Sequence, residues 1–411
     1  MRHISSVILV AAVYGCGDEA KVTQSPETLT QLTPEVRYDI VKLPSLGGTQ
    51  SRGMAINDQG VVAGWSNLSD GSRRAVLWPN HLTITNLGKL GGLSSTVPWL
   101  GLNDAGMVVG ISHTDDVDPL NEDWACELGG FLPHTTNLIC RGFVWENDEM
   151  RALPTLGGNH SFGTGVNNHG LVVGWAETAV HDGTCDPNSA QKLQFRAVIW
   201  DPKDGSNDKI KARELSPFLD DATSAATAIN DQGQAVGISG DCDQAVGRFS
   251  ARHAVLWGKN GKATEIPNLG GTSWHTPMDI NVQGDVVGFS NPDEPGDEIG
   301  DFISRAFYWR HGAVEALDLG TLSSPFGKDP VSEAFALNSQ GQVVGISFGN
   351  AEAGPRAFLW ENNVLMDLND LVAESDDVLL SAQDINDAGQ ITGRVRDNVT
   401  GEVLAFVAIP L

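Results

Sequence analysis

The chain has 411 residues, and its 52 Asp and Glu residues outnumber its 26 Lys and Arg residues to give a formal net charge of −26. This charge argues against nucleic-acid binding, because contacts with phosphates need Lys and Arg side chains. It favours solubility, divalent cations or a cationic partner, unless it only reflects the general composition of the source organism's proteins. The sequence contains no run of about 20 apolar residues, the length that a membrane-spanning helix requires.

The N-terminal residues have the pattern of an export signal. Residues 1–15 combine the charged Arg2 with a short apolar stretch, residues 4–13, as signal peptides do. Val13-Tyr14-Gly15-Cys16 resembles a bacterial lipobox with an unusual Tyr14, so Cys16 is the predicted lipidation site; an incidental cysteine after an ordinary signal peptide is the alternative. Residues 16–37 are polar and predict a flexible tether. We therefore expect an extracytoplasmic protein, either a lipoprotein of the outer membrane or cell surface or a secreted protein.

Residues 38–411 contain seven copies of one motif, first seen as Ala-Ile-Asn-Asp-Gln-Gly-Val-Val-Ala-Gly at residues 55–64. In each copy one Gly follows the Asn after three residues, and a second Gly follows after seven. Asn and Gly between two apolar runs indicate a tight hairpin, so each copy predicts strand A, a turn and strand B. A third apolar run, usually ending in Trp, predicts strand C, and a run into Leu-Gly-Gly predicts strand D. The Asn residues are Asn57, Asn103, Asn167, Asn230, Asn281, Asn338 and Asn386.

Seven repeats of four strands predict an all-β fold, a seven-bladed β-propeller with four antiparallel strands in each blade. The last repeat ends with its strand C at residues 404–407, whereas residues 38–46 read as a strand D with no strand C before it. The N-terminal strand is therefore expected to join the last blade and close the ring, which leaves no unpaired sheet edge there. We expect this propeller to be a monomer.

These motifs resemble the HAF-type extracellular repeat proteins of bacteria. The resemblance rests on the Arg-Ala-Phe/Val-Leu-Trp strands, the Leu-Gly-Gly segments and the Ala-Ile-Asn-Asp-x-Gly-x-Val-Val-Gly blocks, with Arg252-His253-Ala254-Val255 nearest to the His-Ala-Phe of the family. It covers roughly residues 38–411 and implies an extracytoplasmic β-propeller. It implies no established activity and no catalytic residues.

The chain has five cysteines. If Cys16 carries lipid, four remain, and they lie in long insertions between strands B and C of neighbouring repeats. We predict disulfides Cys126–Cys140 and Cys185–Cys242 in an oxidising compartment. A zinc site is the alternative for four thiols, but no Cys-x-x-Cys spacing supports it.

Loop lengths indicate which end of the propeller is functional. The A–B and C–D turns are short, whereas the B–C and D–A connections, which emerge on the opposite face, are long and variable. Loops on a rigid scaffold concentrate binding and catalysis. The predicted ligand-binding residues on this long-loop face are Arg52, Trp99, His160, Phe162, Trp274 and His275. They suit a polysaccharide or a protein partner, and packing of the aromatic residues among the loops is the alternative.

The sequence assigns no catalytic residue. His160, His275, Arg52 and Glu333 are weak candidates for acid–base chemistry on a polysaccharide, as in a lyase or glycoside hydrolase. No paired carboxylates recur at a diagnostic spacing, and no Gly-x-Ser-x-Gly or His-Glu-x-x-His motif occurs. A binding or scaffold module is therefore favoured over an enzyme. No cofactor is expected except possible Ca²⁺, for which the weak candidate ligands are Asp115, Asp116, Asp118 and Asp123, with a solvated acidic loop as the alternative.

Overall fold

The structure is a computed structural model. It describes residues 36–122, 131–133, 136–203, 210–242, 251–272, 274–293, 303–324, 327–328, 331–348, 354–373 and 375–411. The predicted signal peptide and Cys16 lie outside these residues. Within them the regular structure is β-strand with one short 3-10 helix, Leu368–Leu371. None of the helical structure described has the length and apolar character needed to cross a membrane.

Thirty strands are described, and most sheets begin with the strand that precedes a repeated Asn. In chain order they are β1 (Tyr38–Lys42), β2 (Gly47–Ile56), β3 (Val62–Leu68), β4 (Arg73–Asn80), β5 (Thr83–Asn86), β6 (Gly91–Thr96), β7 (Val108–Val117), β8 (Leu138–Glu146), β9 (Glu149–Ala152), β10 (Gly157–Val166), β11 (Val172–His181), β12 (Leu193–Asp201), β13 (Lys211–Leu215), β14 (Thr223–Ile229), β15 (Ala235–Gly240), β16 (Ala251–Trp257), β17 (Ala263–Ile266), β18 (Thr276–Ile280), β19 (Val286–Ser290), β20 (Arg305–Trp309), β21 (Leu317–Gly320), β22 (Ser323–Ser324), β23 (Gly327–Lys328), β24 (Val331–Leu337), β25 (Val343–Phe348), β26 (Pro355–Glu361), β27 (Val364–Asp367), β28 (Val378–Ile385), β29 (Ile391–Arg396) and β30 (Val403–Pro410).

Apart from β22 and β23, which pair with each other, these strands form four-stranded antiparallel sheets in chain order. We call β2–β5 sheet I, β6–β9 sheet II, β10–β13 sheet III, β14–β17 sheet IV, β18–β21 sheet V, β24–β27 sheet VI, and β28–β30 with β1 sheet VII. A single parallel bridge, Gln50 to Val403, links sheets I and VII into one eight-stranded sheet. The prediction of an all-β fold built from four-stranded antiparallel sheets, as in β-propellers, is confirmed.

The two ends of the chain pair with each other. Strand β1 runs antiparallel to β30, with Tyr38 opposite Pro410 and Lys42 opposite Phe406. The N-terminal strand thus occupies the outer position that strand D occupies in the other sheets, as the sequence predicted.

The repeated Asn and the first Gly shape the hairpin between strands A and B. Asn57 Oδ1 accepts hydrogen bonds from the backbone N–H groups of Gln59 and Val61, at 3.1 and 3.0 Å. Gly60 has a φ of 75°, which glycine adopts without strain. The second Gly is required for a different reason: a Cβ at Gly64 would lie 2.0 Å from the carbonyl oxygen of Arg52. Only glycine allows this close approach of strand B to strand A.

The core lies between neighbouring sheets and is anchored by the Trp residues that end strand C. Trp78, Trp200 and Trp257 are fully buried. Their indole N–H groups donate to the carbonyl oxygens of Pro44, Pro154 and Ser216, respectively, each in the segment that connects the preceding sheet to the sheet of that Trp. A buried indole needs such a partner, so these three Trp residues fix their sheets against the connections from the preceding sheets.

Candidate functional site

The seven repeated Asn side chains form one hydrogen-bonded series, which we call the asparagine ring. Each Nδ2 donates to the backbone carbonyl oxygen of the Asn in the next sheet, at 2.9 to 3.4 Å, and Asn386 donates to Asn57 at 2.9 Å. All seven side chains are buried. The series therefore passes through all seven sheets and returns to its first member.

The asparagine ring surrounds a cavity of about 220 Å³. Asp58, Asp104, Asp231 and Asp387 stand at its rim, but their carboxylates accept backbone N–H groups from neighbouring turns. For example, Asp387 N–H donates to Asp58 at 3.0 Å and Asp58 N–H donates to Asp104 at 3.1 Å. These acidic groups therefore hold the turns together.

Two further carboxyl groups belong to this region: Asp279 lines the cavity, and Asp384 directly precedes its lining residue Ile385. Asp279 accepts the backbone N–H of Leu337, and Asp384 accepts that of Ile56, in each case from the following sheet. Burial raises the pKa of Asp279 to about 6, and burial together with the charge of Asp279 raises the pKa of Asp384 to about 8. Asp384 is therefore largely protonated at neutral pH.

Farther along strand A, roughly 15 Å from the asparagine ring at about 3.3 Å per residue, each sheet contributes one cross-strand pair to the interior. The charge of Glu333, two sheets away, affects the pKa of Arg52. A position of the Arg52 side chain that faces the interior explains this effect. The pairs are Arg52–Trp65 in sheet I, Thr96–Ile111 in II, Phe162–Trp175 in III, Ala225–Ile238 in IV, Thr276–Phe289 in V, Glu333–Ile346 in VI and Ser381–Arg394 in VII.

Sheets II to V make this level of the interior apolar. Phe162 stacks on Trp175 at 4.7 Å, and Trp99 meets Trp175 edge-on at 5.5 Å between ring centroids. Trp274 packs against Phe289 at 5.1 Å. We call this cluster the aromatic arc; it also contains Ile111, Phe195 and Ile238. Trp99 and Phe162 are buried in the aromatic arc, so they have the packing role that the sequence analysis gave as the alternative. Their contact with a ligand stays a prediction.

Sheets VII and I make the other side polar. Ser381 Oγ and Gln383 Nε2 are buried without a hydrogen-bond partner within the described residues, and so are Nε of Arg52 and of Arg394. We call these four side chains the polar arc. Arg52 and Arg394 are partly exposed, so their guanidinium ends are accessible from the interior.

Electrostatics at the polar arc are dominated by positive charge. Burial, and then the charges of Arg394 and Arg73, hold the pKa of Arg52 well below its usual range, and burial also lowers the pKa of Arg394. Burial raises the pKa of Glu333 to about 7, so this carboxyl only partly compensates them. Arg73 has other contacts, since it lies 3.7 Å from the Trp65 ring centroid and donates to the carbonyl oxygen of Phe131.

A second polar cluster contains His160 with Asp118 and Glu122. All three are buried, and one ligand atom of each lies within 4.8 Å of the others. His160 Nδ1 accepts the backbone N–H of Cys140, which places the ring proton on Nε2, 3.4 Å from Asp118 Oδ2. In this arrangement His160 is a donor to Asp118, and a metal ion would have to displace that proton to use Nε2.

Glu122 connects two long loops in this cluster. Its Oε1 accepts the backbone N–H groups of Lys192 and Leu193, each at 2.7 Å. Burial and then the charge of Glu177 raise the pKa of Glu122 to about 7. Burial alone would raise the pKa of Asp118, but hydrogen bonds from His160 and from backbone N–H groups lower it to about 2.

The remaining predicted residues are placed as follows. His275 is buried, with Nδ1 2.8 Å from Ser290 Oγ. Asp115 and Asp116 are exposed, whereas Asp123 lies outside the described residues, so calcium binding by this group stays a prediction. The Cys185–Cys242 disulfide is confirmed. Cys140 is also disulfide-bonded, and its expected partner, Cys126, lies outside the described residues.

Sequence reasoning selected Arg52, Glu333 and His160, and it placed Glu122 in an acidic loop that could bind Ca²⁺, but it missed Ser381, Gln383 and Arg394. A signal for Arg394 exists in the repeats. The residue after the second Gly is apolar in six repeats (Trp65, Ile111, Trp175, Ile238, Phe289 and Ile346), and it is Arg394 in the seventh. A charged residue at a slot that six repeats fill with apolar side chains marks a departure from the structural pattern.

Similarity to known proteins was found among solved structures. No protein-family model matches the chain, and no curated protein matches it. Among solved structures, the chain is similar to a protein of unknown function from Dyadobacter fermentans DSM 18053, with 11% identity over 90% of this chain and 97% of that chain and a TM-score of 0.40. It is also similar to Porphyromonas gingivalis dipeptidyl peptidase 4, with 10% identity over 89% of this chain and a TM-score of 0.40, although it spans only 53% of the peptidase. The chain is similar as well to Trypanosoma rangeli sialidase in complex with sialic acid, with 11% identity over 89% of this chain and 59% of the sialidase and a TM-score of 0.34.

Proposed function

We propose that the protein is a seven-bladed β-propeller of the HAF-type repeat class, closed by its N-terminal strand. Sheets I to VII would be the blades. The pairing of β1 with β30 and the return of the asparagine ring from Asn386 to Asn57 support closure.

The function that we propose is binding: a polysaccharide chain would enter the interior from the long-loop face and lie between the aromatic arc and the polar arc. The observation that carries this proposal is that four polar side chains leave buried atoms without partners, opposite an aromatic surface. Buried polar atoms without partners are costly, and a bound ligand would satisfy them. Aromatic faces with nearby hydrogen-bonding groups suit sugar rings.

Retention on immobilised polysaccharides tests this proposal. The mature chain should be retained by at least one glycan, and Trp99→Ala combined with Trp274→Ala should abolish retention while near-UV circular dichroism shows that the variant is folded. Trp78→Phe, a change at a strand-C anchor outside the aromatic arc, serves as the aromatic control and should be retained. Absence of retention on every glycan would refute the proposal and leave a protein partner, to be sought by cross-linking on intact cells.

The alternative is a carbohydrate-active enzyme that uses the same interior. Glu333, with a pKa of about 7, could exchange a proton near neutral pH. The groups that shift this pKa are Ser304 and Arg52, and no second carboxylate is among them, whereas glycoside hydrolysis needs a pair. We therefore favour binding. New reducing or unsaturated ends released from a retained glycan would favour the enzyme.

We further propose that the protein works outside the cytoplasm, as a monomer that is either secreted or attached by lipid at Cys16. The Cys185–Cys242 disulfide supports this location, because such bonds persist in oxidising compartments. Mass spectrometry of the N-terminal peptide would distinguish an acylated Cys16 from a free one.

A further inference from the structure

The hydrogen-bonding groups of the polar arc indicate which charge a ligand would carry. Its nitrogen atoms, Nε of Arg52 and Arg394 and Nε2 of Gln383, are all donors, and the Ser381 hydroxyl can donate as well. Neither guanidinium group makes a hydrogen bond or ion pair with any other described residue. A site made of donors is complementary to a group that only accepts.

The repeat packing does not account for the two arginines. Arg394 occupies the slot that the other six repeats fill with Trp, Ile or Phe, and its cross-strand partner Ser381 has no bonded partner either. Arg52 and Arg394 repel each other, and partial burial disfavours the charge of each without a hydrogen bond or ion pair to compensate. A partly buried charge without a partner is unfavourable for folding, so packing alone gives no reason for a charged residue at either position.

Glu333 does not neutralise the charges of Arg52 and Arg394. Glu333 is the carboxylate that attracts Arg52, but it forms no salt bridge with it within the described residues, and its own environment favours the protonated form.

Gln383 also lacks the hydrogen bond that equivalent residues make in other sheets. Thr164 and Thr227 occupy the equivalent bulge positions of strand A in sheets III and IV, where their hydroxyl groups bond to carbonyl oxygens of the next sheet. Gln383 Nε2 makes no such bond.

We propose that Arg52 and Arg394, with Ser381 and Gln383, bind an anionic group of the ligand, a carboxylate or sulfate such as an acidic polysaccharide carries. Charge-assisted hydrogen bonds from guanidinium groups to planar or tetrahedral oxyanions are short and strong. This inference rests on the proposed function for the identity of the whole ligand, whereas the anion site itself is testable without it.

The first test uses small anions. Glucuronate and sulfate are titrated into the mature chain at constant ionic strength, and the melting temperature is followed. At ten times Kd, the wild type should gain about 2 °C. Arg394→Ile introduces the residue of three other repeats at that slot, and it should abolish this gain. Arg396→Gln, an exposed residue two positions along the same strand, should retain it, which removes the general stabilising effect of sulfate from the comparison. An equal gain in wild type and Arg394→Ile would overturn the proposal.

Stability without ligand gives a second readout. Arg394→Ile and Arg52→Met should melt at the same temperature as the wild type or above it, because each removes a partly buried charge that has no partner. A loss of several degrees in both variants would assign the arginines a structural role and overturn the proposal.

The third test separates this inference from the proposed function. A polysaccharide rich in uronic acid is compared with the same polymer after reduction of its carboxyl groups. Tight binding of the acidic form, weakened about 10- to 100-fold by carboxyl reduction or by Arg394→Ile, supports both. Equal binding of both forms refutes the anion site and leaves the binding function. Binding of small anions without any polysaccharide refutes the binding function and leaves the anion site.

Discussion

Replacement of Asn386 by Ala tests whether the sheets close into a ring. Asn386 Nδ2 donates to the carbonyl oxygen of Asn57 at 2.9 Å and to Gln390 Oε1 at 2.8 Å, and its Oδ1 accepts the Gln390 N–H at 2.9 Å. The residue is buried, so its partners cannot be fully satisfied by water after the change. The bond to Asn57 spans the junction between the last sheet and the first.

Asn167 provides a matched control inside the chain. It also makes three hydrogen bonds, from His169 and Leu171 to its Oδ1 and from its Nδ2 to Asn230, at 3.0 to 3.1 Å. At about 1 kcal/mol for each hydrogen bond, either Ala variant should lose about 3 kcal/mol of unfolding free energy. For a folded unit of about 375 residues this corresponds to a fall of roughly 4 °C in melting temperature.

Differential scanning calorimetry of both variants and of the wild type measures this. Equal losses mean that the junction between Asn386 and Asn57 is as well formed as an internal junction. If the ring is open at the chain ends, only the two bonds between Asn386 and Gln390 are lost, so Asn386→Ala would lose about 1 kcal/mol less than Asn167→Ala, and that result would refute the reasoning.

Four further outcomes are expected. Because burial raises the pKa of Asp384 to about 8, the folded state binds more protons than the unfolded state between about pH 4 and 8. The melting temperature should therefore fall as pH rises through this range. Asp384→Asn should flatten this dependence, and an unchanged dependence in the variant would contradict the role of Asp384. Deletion of residues 1–43 removes β1 and exposes the edge of β30, so it should cause aggregation, measured by light scattering, whereas deletion of residues 1–35 should not. Cys185→Ser with Cys242→Ser opens a loop closed over 57 residues and should cost about 4 kcal/mol by calorimetry; a cost below 1 kcal/mol would show that the loops are held by other contacts. If Ca²⁺ binds at Asp118, added calcium should raise the melting temperature of the wild type and not of Asp118→Asn.

The repeat architecture was predictable because the signals for it are local. Asn57 and its six counterparts satisfy the backbone of their own turns, and the following Gly adopts the left-handed conformation that each turn requires. The surplus strand at residues 38–42 and the missing strand after residue 407 are visible in the printed order of the repeats. The Cys185–Cys242 pairing followed once the two cysteines were assigned to equivalent insertions of neighbouring repeats.

The candidate site was only partly predictable. Arg52 and Glu333 were selected from their places in the D–A connections just before strand A, but Trp99 and Phe162, which were selected with them, are buried in the aromatic arc. Whether an aromatic side chain in a connecting segment faces solvent or packs inward depends on the register of its strand. The bulge that shifts strand A by one residue in most sheets, seen between Gly53 and Ala55 in sheet I, is not written in any short motif.

The sequence by itself determined the strands, their turns and the order of the sheets, because each follows from the period of the repeats and from backbone conformations that Asn, Gly and Trp favour locally. Only the tertiary structure decided which side chains meet in the interior. Arg52 lies near Arg394, and Glu122 reaches the backbone of Lys192 and Leu193, across long separations along the chain. Such contacts depend on how the sheets are arranged around the common cavity, and that arrangement is set by the packing of all the sheets together.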